Sequence, residues 1–225
     1  MEHTHTIINL IWKTPRVFEL VVERDGLEFT PGDSIAIFHS DGPQSRPYSI
    51  ASGAREDVLR FLIQRLPGGL VSQDLAGRSS GESVVLSDPF GWFHPGRHGH
   101  GQPMVFVATG TGAAPFLSFL RTYPNRVPSL CLVGARRRED LLDVEVLRRG
   151  CAELHLAVSR EVTDSCHHGR VTDLLPGLTF AAGTHFYLCG LDAMIDDVTT
   201  HLEERGIHFS QIHREVFFHA PPSYA

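Results

Sequence analysis

The chain has 225 residues, 42% of them hydrophobic and 20% charged, with 20 Lys and Arg against 26 Asp and Glu and a net charge of −6. That length suits one large domain or two of about a hundred residues each, and the mix excludes wholesale disorder. The acidic balance excludes a bulk electrostatic hold on nucleic acid, so any anion site has to be built locally, and no apolar run approaches the ~20 residues needed to span a bilayer.

The start, Met1-Glu2-His3-Thr4-His5, has no basic segment leading into a long apolar core. No secretory signal is therefore expected, and a cytoplasmic location is the expectation. Residues 1–97 then read as short strands: Thr6–Trp12, Arg16–Glu23, Ser34–His39, Pro47–Ala51, Val58–Leu66 and Ser83–Ser87. Turn clusters such as Pro31-Gly32-Asp33, Asp41-Gly42-Pro43 and Pro67-Gly68-Gly69 separate them, a rhythm that predicts an antiparallel barrel or sandwich. Leu70–Ala76 is the exception, a short helix after the Gly pair. The aperiodic, Gly- and Pro-rich stretch Gly91–Pro103 marks a domain boundary, placing a second domain over 102–225.

From Met104 strands and helices alternate. Strands are predicted at Met104–Thr109, Leu130–Val133, Leu154–Val158, His185–Cys189 and Gln211–Phe218, and helices at Ala113–Arg121, Glu139–Arg148 and Ala193–Arg205. In the last helix Ile195, Val198 and Leu202 fall three and four apart, the spacing of one buried face. Such alternation predicts an α/β domain with a doubly wound parallel sheet, and so a two-domain protein, β-barrel first.

Three local features carry chemistry. Thr109-Gly110-Thr111-Gly112, with Pro115 shortly after, sits where a strand meets a helix. Such a turn lets backbone N–H groups approach an anion, and the helix start adds a favourable dipole. No Lys follows, so it is not a Walker-type loop, and a third glycine is missing, so it is not the common dinucleotide fingerprint. Arg46-Pro47-Tyr48-Ser49 offers a guanidinium, an aromatic ring and a hydroxyl along one strand, suited to a diphosphate and a flat ring, although an ordinary edge strand has the same look. Gly69-Leu70-Val71-Ser72 is a second anion nest leading into a helix. Two anion sites in two domains suggest two nucleotide-like ligands.

Taken in order, these motifs resemble the ferredoxin–NADP+ reductase family in its compact bacterial form. Arg46, Tyr48 and Ser49 match its Arg-x-Tyr-Ser flavin motif, Gly69 to Ser72 its flavin-diphosphate helix, and Thr109 to Gly112 with Pro115 its pyridine-nucleotide loop. Cys189-Gly190 matches a Cys-Gly at the nicotinamide end of a later strand, and Glu215-Val216-Phe217 the segment bordering the flavin ring. The resemblance implies FAD on the barrel, NADP(H) on the α/β domain, hydride transfer between them, and single electrons to or from a ferredoxin or flavodoxin, with the chain a monomer. By that carry-over Arg46 binds the FAD diphosphate, Tyr48 packs on the flavin, Ser49 hydrogen-bonds near N5, and Thr109 and Cys189 line the nicotinamide pocket. Cys189 then serves packing rather than nucleophilic attack, and Phe217 stacks on the flavin. Glu215 exchanges protons with solvent, or is simply a strand carboxylate facing water. Tyr224 either reaches the FAD adenine or belongs to a frayed tail.

For the nicotinamide cofactor, strand ends carry Arg136-Arg137-Arg138 and Ser159-Arg160, and Arg170 follows further on. In the same comparison Ser159-Arg160 resembles the pair that grips the 2′-phosphate of NADP, with Arg170 a second candidate, while the triple Arg reads equally as a solvated loop. NADP is favoured over NAD. No metal is expected: Pro95, Gly96 and Gly99 interrupt His94, His98 and His100, Cys166-His167-His168 reads as a surface loop, and none of the four cysteines forms a Cys-x-x-Cys pair. Electrons therefore need a separate acceptor. The alternatives are the NAD(P)H reductase component of a multicomponent oxygenase, a free-flavin reductase and, from another class, a non-catalytic nucleotide-binding regulatory subunit.

Overall fold

The computed structural model of the chain describes residues 1–99 and 101–216. They form two compact units, one of Met1–Pro95 with Ala114–Pro124, the other of Gly96–Ala113 with the residues from Asn125 on.

The first unit is a six-stranded antiparallel sheet of β1 (Glu2–Trp12), β2 (Val17–Glu23), β3 (Ser34–Phe38), β4 (Ser45–Ser49), β5 (Val58–Gln64) and β6 (Ser83–Ser87), in the order β4-β3-β6-β1-β2-β5. Thr14 builds the β1–β2 turn, its Oγ1 accepting from the N–H groups of Arg16 and Val17 at 3.1 and 3.0 Å. Ile7, Phe18, Leu20, Val22, Ile35, Ile37, Ile50, Phe61 and Leu86 fill the interior. Glu19 is buried within β2, where Lys13 and Arg60 approach it at 3.6 and 3.5 Å, the pairing a buried carboxylate requires. Just past β4 the chain reaches β5 through the Ile50–Phe61 bridge, the Ala51 N–H to Arg60 carbonyl bond of 2.8 Å and the Arg60 N–H to Ser52 Oγ bond of 3.2 Å. Among the described residues no ladder to β5 continues along Arg46–Ser49, which leaves that strand edge open. β1 begins at Glu2 rather than Thr6 because Glu2 to Thr6 pair with β6; His3 bonds Asp88 at 2.8 Å, and buried His5 bonds the Glu23 carbonyl through Nδ1 at 2.9 Å.

Helix α1 (Leu70–Ala76) forms where the sequence places it, whereas α2 (Ala114–Thr122) joins this unit although it lies beyond the Gly/Pro-rich stretch. Three bonds fasten it: Ser118 Oγ to the Ser52 carbonyl at 2.7 Å, Arg121 Nη1 to the Ala51 carbonyl at 2.6 Å, and the Ala54 N–H to Thr122 Oγ1 at 2.9 Å. Ala51 to Ala54 directly follow the Arg46–Ser49 motif, so the helix holds its C-terminal end.

The second unit is a six-stranded parallel sheet of β7 (Met104–Thr109), β8 (Leu130–Ala135), β9 (Leu154–Val158), β10 (His167–His168), β11 (His185–Gly190) and β12 (Ile212–Val216), ordered β10-β9-β8-β7-β11-β12. The chain winds outward from β7 to β10, then returns to the other side of β7, so the topological switch lies between β7 and β11. On one face Val105, Val107, Leu132, Phe186 and Leu188 pack under Met194, Ile195, Val198 and Leu202 of α4 (Asp192–Glu204). The helix predicted over Glu139–Arg148 is displaced to α3 (Val144–Gly150), after a separate 3-10 turn at Arg138–Asp140. Asp143 takes the left-handed conformation (φ 44°), which an α-helix cannot pass through. Cys166-His167-His168, expected as loop, supplies β10, which pairs with β9.

At the other end of this sheet, the segment before β7 packs on histidines. The Tyr187 hydroxyl donates to the His98 carbonyl at 3.2 Å, the His98 and His213 rings stack at 4.8 Å, and His185 Nδ1 lies 2.9 Å from His213 Nε2. Burial first, then His98 and His185, hold the His213 pKa down from 6.5 to about 4. A group depressed in the folded state binds its proton in the unfolded chain first, so stability drains as pH falls through that window. The thermal midpoint is expected to drop between pH 6.5 and about 4. His213→Phe, which keeps a stacking ring and removes the titration, is expected to flatten that drop in scanning calorimetry.

Candidate functional site

In the first unit, β4 exposes Arg46 and buries Tyr48 and Ser49. Arg46 Nη1 donates to its neighbour's Ser45 carbonyl at 2.7 Å, leaving the guanidinium at the surface. Tyr48 belongs to the apolar interior, and burial pushes its phenol up to about 12 against the lowering effect of Arg46, so it stays neutral. Ser49 Oγ meets Ser34 Oγ at 3.1 Å, a buried pair in which the sequence offered only one member. Gly69 caps α1 without a side-chain bond, Leu70 is exposed, Val71 is buried, and Ser72 Oγ accepts from the Leu66 N–H at 3.2 Å and donates to the Gly69 carbonyl at 3.3 Å. A Cβ at Gly69 would sit 2.7 Å from that hydroxyl, so a side chain there would displace the Ser72 hydroxyl from its bonds.

The second unit gathers its glycines at the C-terminal ends of β7 and β11, the switch point where open α/β sheets bind ligands. After Thr109 the chain makes a 3-10 turn, Gly110–Ala113, before α2, whose second residue is buried Pro115. A Cβ on Gly112 would lie 2.3 Å from the Cys189 carbonyl oxygen, and one on Gly190 would lie 2.2 Å from Thr109 Oγ1. Thr109 Oγ1 in turn accepts from the Leu191 N–H at 3.0 Å. Thr109, Gly110, Thr111 and Gly112 are thus brought together with Cys189-Gly190. Cys189 is fully buried, and its Sγ lies 3.9 Å from Glu215 Oε2 on the neighbouring strand. Burial, then the Glu215 charge, push its thiol well above the usual range, which favours the protonated form.

The basic residues gather at the ends of β8 to β10. The Arg160 N–H donates to the Arg136 carbonyl at 2.9 Å, the Ser159 N–H to the Ala135 carbonyl at 3.1 Å, and the Gly169 N–H to the Val158 carbonyl at 2.9 Å, with Arg170 next in the chain. All four candidate side chains, Arg136, Ser159, Arg160 and Arg170, are exposed. Sequence reasoning missed Glu161, whose carboxylate accepts from the Arg138 N–H and which lines, with Arg137, Arg138, Glu139 and Thr163, an open cleft of about 470 Å³. The expected places of Phe217 and Tyr224, and His100 of the histidine group, lie outside the described residues. Among the described residues no cluster of three His, Cys, Asp or Glu could hold a metal ion, and no helix is long and apolar enough to cross a membrane.

Residues 106–200 match the family model described as the oxidoreductase NAD-binding domain. The reductase component of the naphthalene 1,2-dioxygenase system of Pseudomonas putida, named a ferredoxin–NAD(P)+ reductase, is 31% identical over 202 residues, 85% of this chain and 61% of that protein. The chain thus spans about three fifths of such a relative's length. A cytochrome P450 reductase from Amycolatopsis superposes with a TM-score of 0.85 at 28% identity, over 96% of this chain and 70% of that one. A ferredoxin–NADP+ reductase from Neisseria gonorrhoeae, solved with FAD and NADP, shares the fold over 96% of this chain and 99% of its own, with a TM-score of 0.83 at 22% identity. Residues 106–200 thus carry an oxidoreductase NAD-binding domain, and the chain as a whole is similar to reductases of the ferredoxin–NADP+ reductase family. Its two units are the antiparallel and parallel sheets of that family's two-domain fold.

Within this reductase fold the glycines differ in what they require. Gly190 (φ 141°) faces backbone and hydroxyl atoms closer than 3 Å, whereas Gly110 (φ 55°) has open space where a Cβ would go. Gly190→Ala is expected to cost at least about 1–3 kcal/mol, the toll of overpacking. Gly110→Ala is expected to cost only about 1–2 kcal/mol of left-handed strain. Urea unfolding midpoints of the two variants check the order.

Proposed function

We propose that the chain is the flavin- and nicotinamide-binding part of an NAD(P)H-dependent reductase. The Cβ-free junction of Thr109–Gly112 with Cys189-Gly190, at the switch point of a parallel sheet, carries this reading. It leaves a floor of backbone on which a nucleotide can lie. The open β4 edge, the surface guanidinium of Arg46 and the loop at Gly69 fit FAD on the first unit. When bound, FAD accepts a hydride from the nicotinamide and releases its electrons one at a time.

The chain's own residues then divide the work. Arg46 neutralises the diphosphate, with the amides of Leu70, Val71 and Ser72 as neutral donors. Tyr48 gives a rigid, uncharged wall, and Ser49 offers a hydroxyl that both donates and accepts. Thr109 and the neutral thiol of Cys189 shape the nicotinamide end without competing chemistry, and Glu215 is a carboxylate through which protons exchange with water. Arg136, Ser159, Arg160 and Arg170 form a local cationic rim for the 2′-phosphate of NADP in an otherwise acidic chain. A small redox protein takes the electrons. The names of the relatives support an acceptor in an oxygenase system, and a ferredoxin or flavodoxin of general metabolism is the other candidate.

The purified protein is expected to bind one FAD per chain, and Ser49→Ala is expected to retain it while slowing hydride transfer from NADPH in stopped-flow absorbance. Folded protein that rejects added FAD, or binds nucleotides without any flavin reduction, overturns the reading in favour of a regulatory subunit.

A charge-assisted contact is worth ~1.5–3 kcal/mol, or about ten- to hundredfold. Arg160→Ala is expected to raise the KM for NADPH by about that factor and leave that for NADH nearly unchanged. Equal losses with both show that Arg160 does not read the phosphate.

A further inference from the structure

The turn between β1 and β2 comes level with the end of β5, where the Arg65 N–H donates to the Arg16 carbonyl at 2.8 Å. Beside it lies an open cleft of about 480 Å³, lined by Trp12, Lys13, Thr14, Pro15 and Arg65. The Trp12 indole packs on Phe18 of the barrel interior, with 5.3 Å between ring centroids, and the Arg65 guanidinium lies over the same indole at 5.2 Å. Trp12 is nevertheless 43% exposed. An indole that served only to close the barrel end would gain by being covered. This one leaves a flat ring and a flat cation side by side at the surface.

Arg65 also opens the stretch that leads into α1. The Leu66 N–H donates to Ser72 Oγ at 3.2 Å and the Gly69 N–H to the Leu66 carbonyl at 3.0 Å, so the chain folds back on itself directly after Arg65. Arg65 and Gly69 are four positions apart, a span of no more than about 14 Å. The cleft is therefore the neighbour, within one unit, of the loop offered above for the FAD diphosphate.

We propose that this cleft is the subsite for the adenosine end of FAD, with the adenine lying against the Trp12 indole and the Arg65 guanidinium. The proposal rests on the FAD reading above.

The chemistry of the lining selects that end of the molecule. A purine is flat, and it stacks on an indole or a guanidinium plane without needing one particular hydrogen-bond partner. Among the described residues no acid lines the cleft, so nothing in its wall repels the phosphates that tie the adenosine to the flavin. Lys13 is drawn to the buried Glu19 carboxylate at 3.6 Å, and Thr14 Oγ1 is engaged in its own turn by the N–H groups of Arg16 and Val17. The cleft thus offers surface for stacking more than a set of directional bonds. Such a site is weak for a free base and effective for a tethered one, because a diphosphate held at the adjoining loop raises the local concentration of the adenine.

The test uses FMN as the control ligand, since it carries the flavin and one phosphate but no adenosine. In fluorescence titrations of the apoprotein, Trp12→Ala is expected to hold FAD about 5- to 150-fold more weakly, the worth of stacking a base on an aromatic ring, and to hold FMN as before. Trp12→Phe, which keeps a flat ring, is expected to lose less. The chain has two tryptophans, and Trp92 is 90% exposed, so Trp92→Phe leaves Trp12 as the sole indole. In that variant ADP, which carries no flavin, is expected to change the Trp12 emission and to compete with FAD. This arm leaves Trp12 in place and decides the matter should Trp12→Ala not fold.

Folded Trp12→Ala that binds FAD as tightly as wild type overturns the proposal, and so do equal losses of FAD and FMN, which show that Trp12 only supports the barrel. Trp12 emission that ignores ADP, or a wild-type chain that holds FMN as tightly as FAD, overturns it too while leaving the flavin reading in place. A chain that binds neither flavin overturns the functional reading and this proposal together.

Discussion

The second unit depends on two backbones meeting where no side chain fits. Gly112 lies against the Cys189 carbonyl and Gly190 against Thr109, at separations a Cβ would reduce to 2.3 and 2.2 Å. That contact brings the ends of β7 and β11 level, and the Thr109 hydroxyl fixes it by accepting from the Leu191 N–H. α4 begins at the next residue, Asp192, so the helix that covers one face of the sheet starts from a fixed point. A side chain at either glycine would force the strand ends apart, and with them the backbone floor on which a nucleotide is proposed to lie.

The first unit answers a different constraint. A barrel abolishes exposed strand edges by closing, and a closed barrel has no backbone left to offer a flat ligand. Here, among the described residues, the closure runs through Ile50–Phe61, Ala51–Arg60 and Ser52–Arg60, beyond the end of the motif strand. Arg46–Ser49 is paired with β3 on one edge alone, and the residues that follow it are fastened by α2 at Ala51, Ser52 and Ala54. Openness at the motif and rigidity around it are therefore built by separate residues. That separation is why the chemistry-bearing strand can be short, polar and still fixed.

The fold was legible where pattern and punctuation agreed. The apolar run Met104–Thr109 ends in Gly-Thr-Gly, and Ile195, Val198 and Leu202 mark one helical face, so β7 and α4 lie within a residue of their expected places. Reading failed where one backbone angle decides. The stretch Glu139–Arg148 has helical composition, but Asp143 at φ 44° divides it, and nothing in its residue type required that conformation. The same limit applied to the site. Arg46, Tyr48 and Ser49 are visible because they adjoin in sequence, whereas Ser34 reaches Ser49 only through strand pairing. Glu161 was missed for a similar reason: its bond to the Arg138 N–H links two strand ends 23 positions apart. The helix α2 shows that even the division into units is decided by packing, since it follows the glycine loop in the chain and joins the barrel.

Glu161 bears on how an acidic protein builds a cationic rim. Arg136, Arg160 and Arg170 are exposed, so water and salt weaken their field, and three of them alone would attract any anion without preference. Glu161, whose carboxylate accepts from the Arg138 N–H and whose backbone carbonyl lies 2.7 Å from His168 Nδ1, would penalise excess negative charge on its flank of the cleft it lines with Arg137 and Arg138. If Arg136, Arg160 and Arg170 serve as the proposed rim, that rim would favour a ligand whose phosphate sits against the guanidiniums and whose neutral hydroxyls face the acid. Discrimination of that kind comes from attraction and repulsion placed a few ångströms apart rather than from net charge. On that proposed reading, a chain carrying −6 overall would hold an anion through locally placed guanidiniums and not through its net charge.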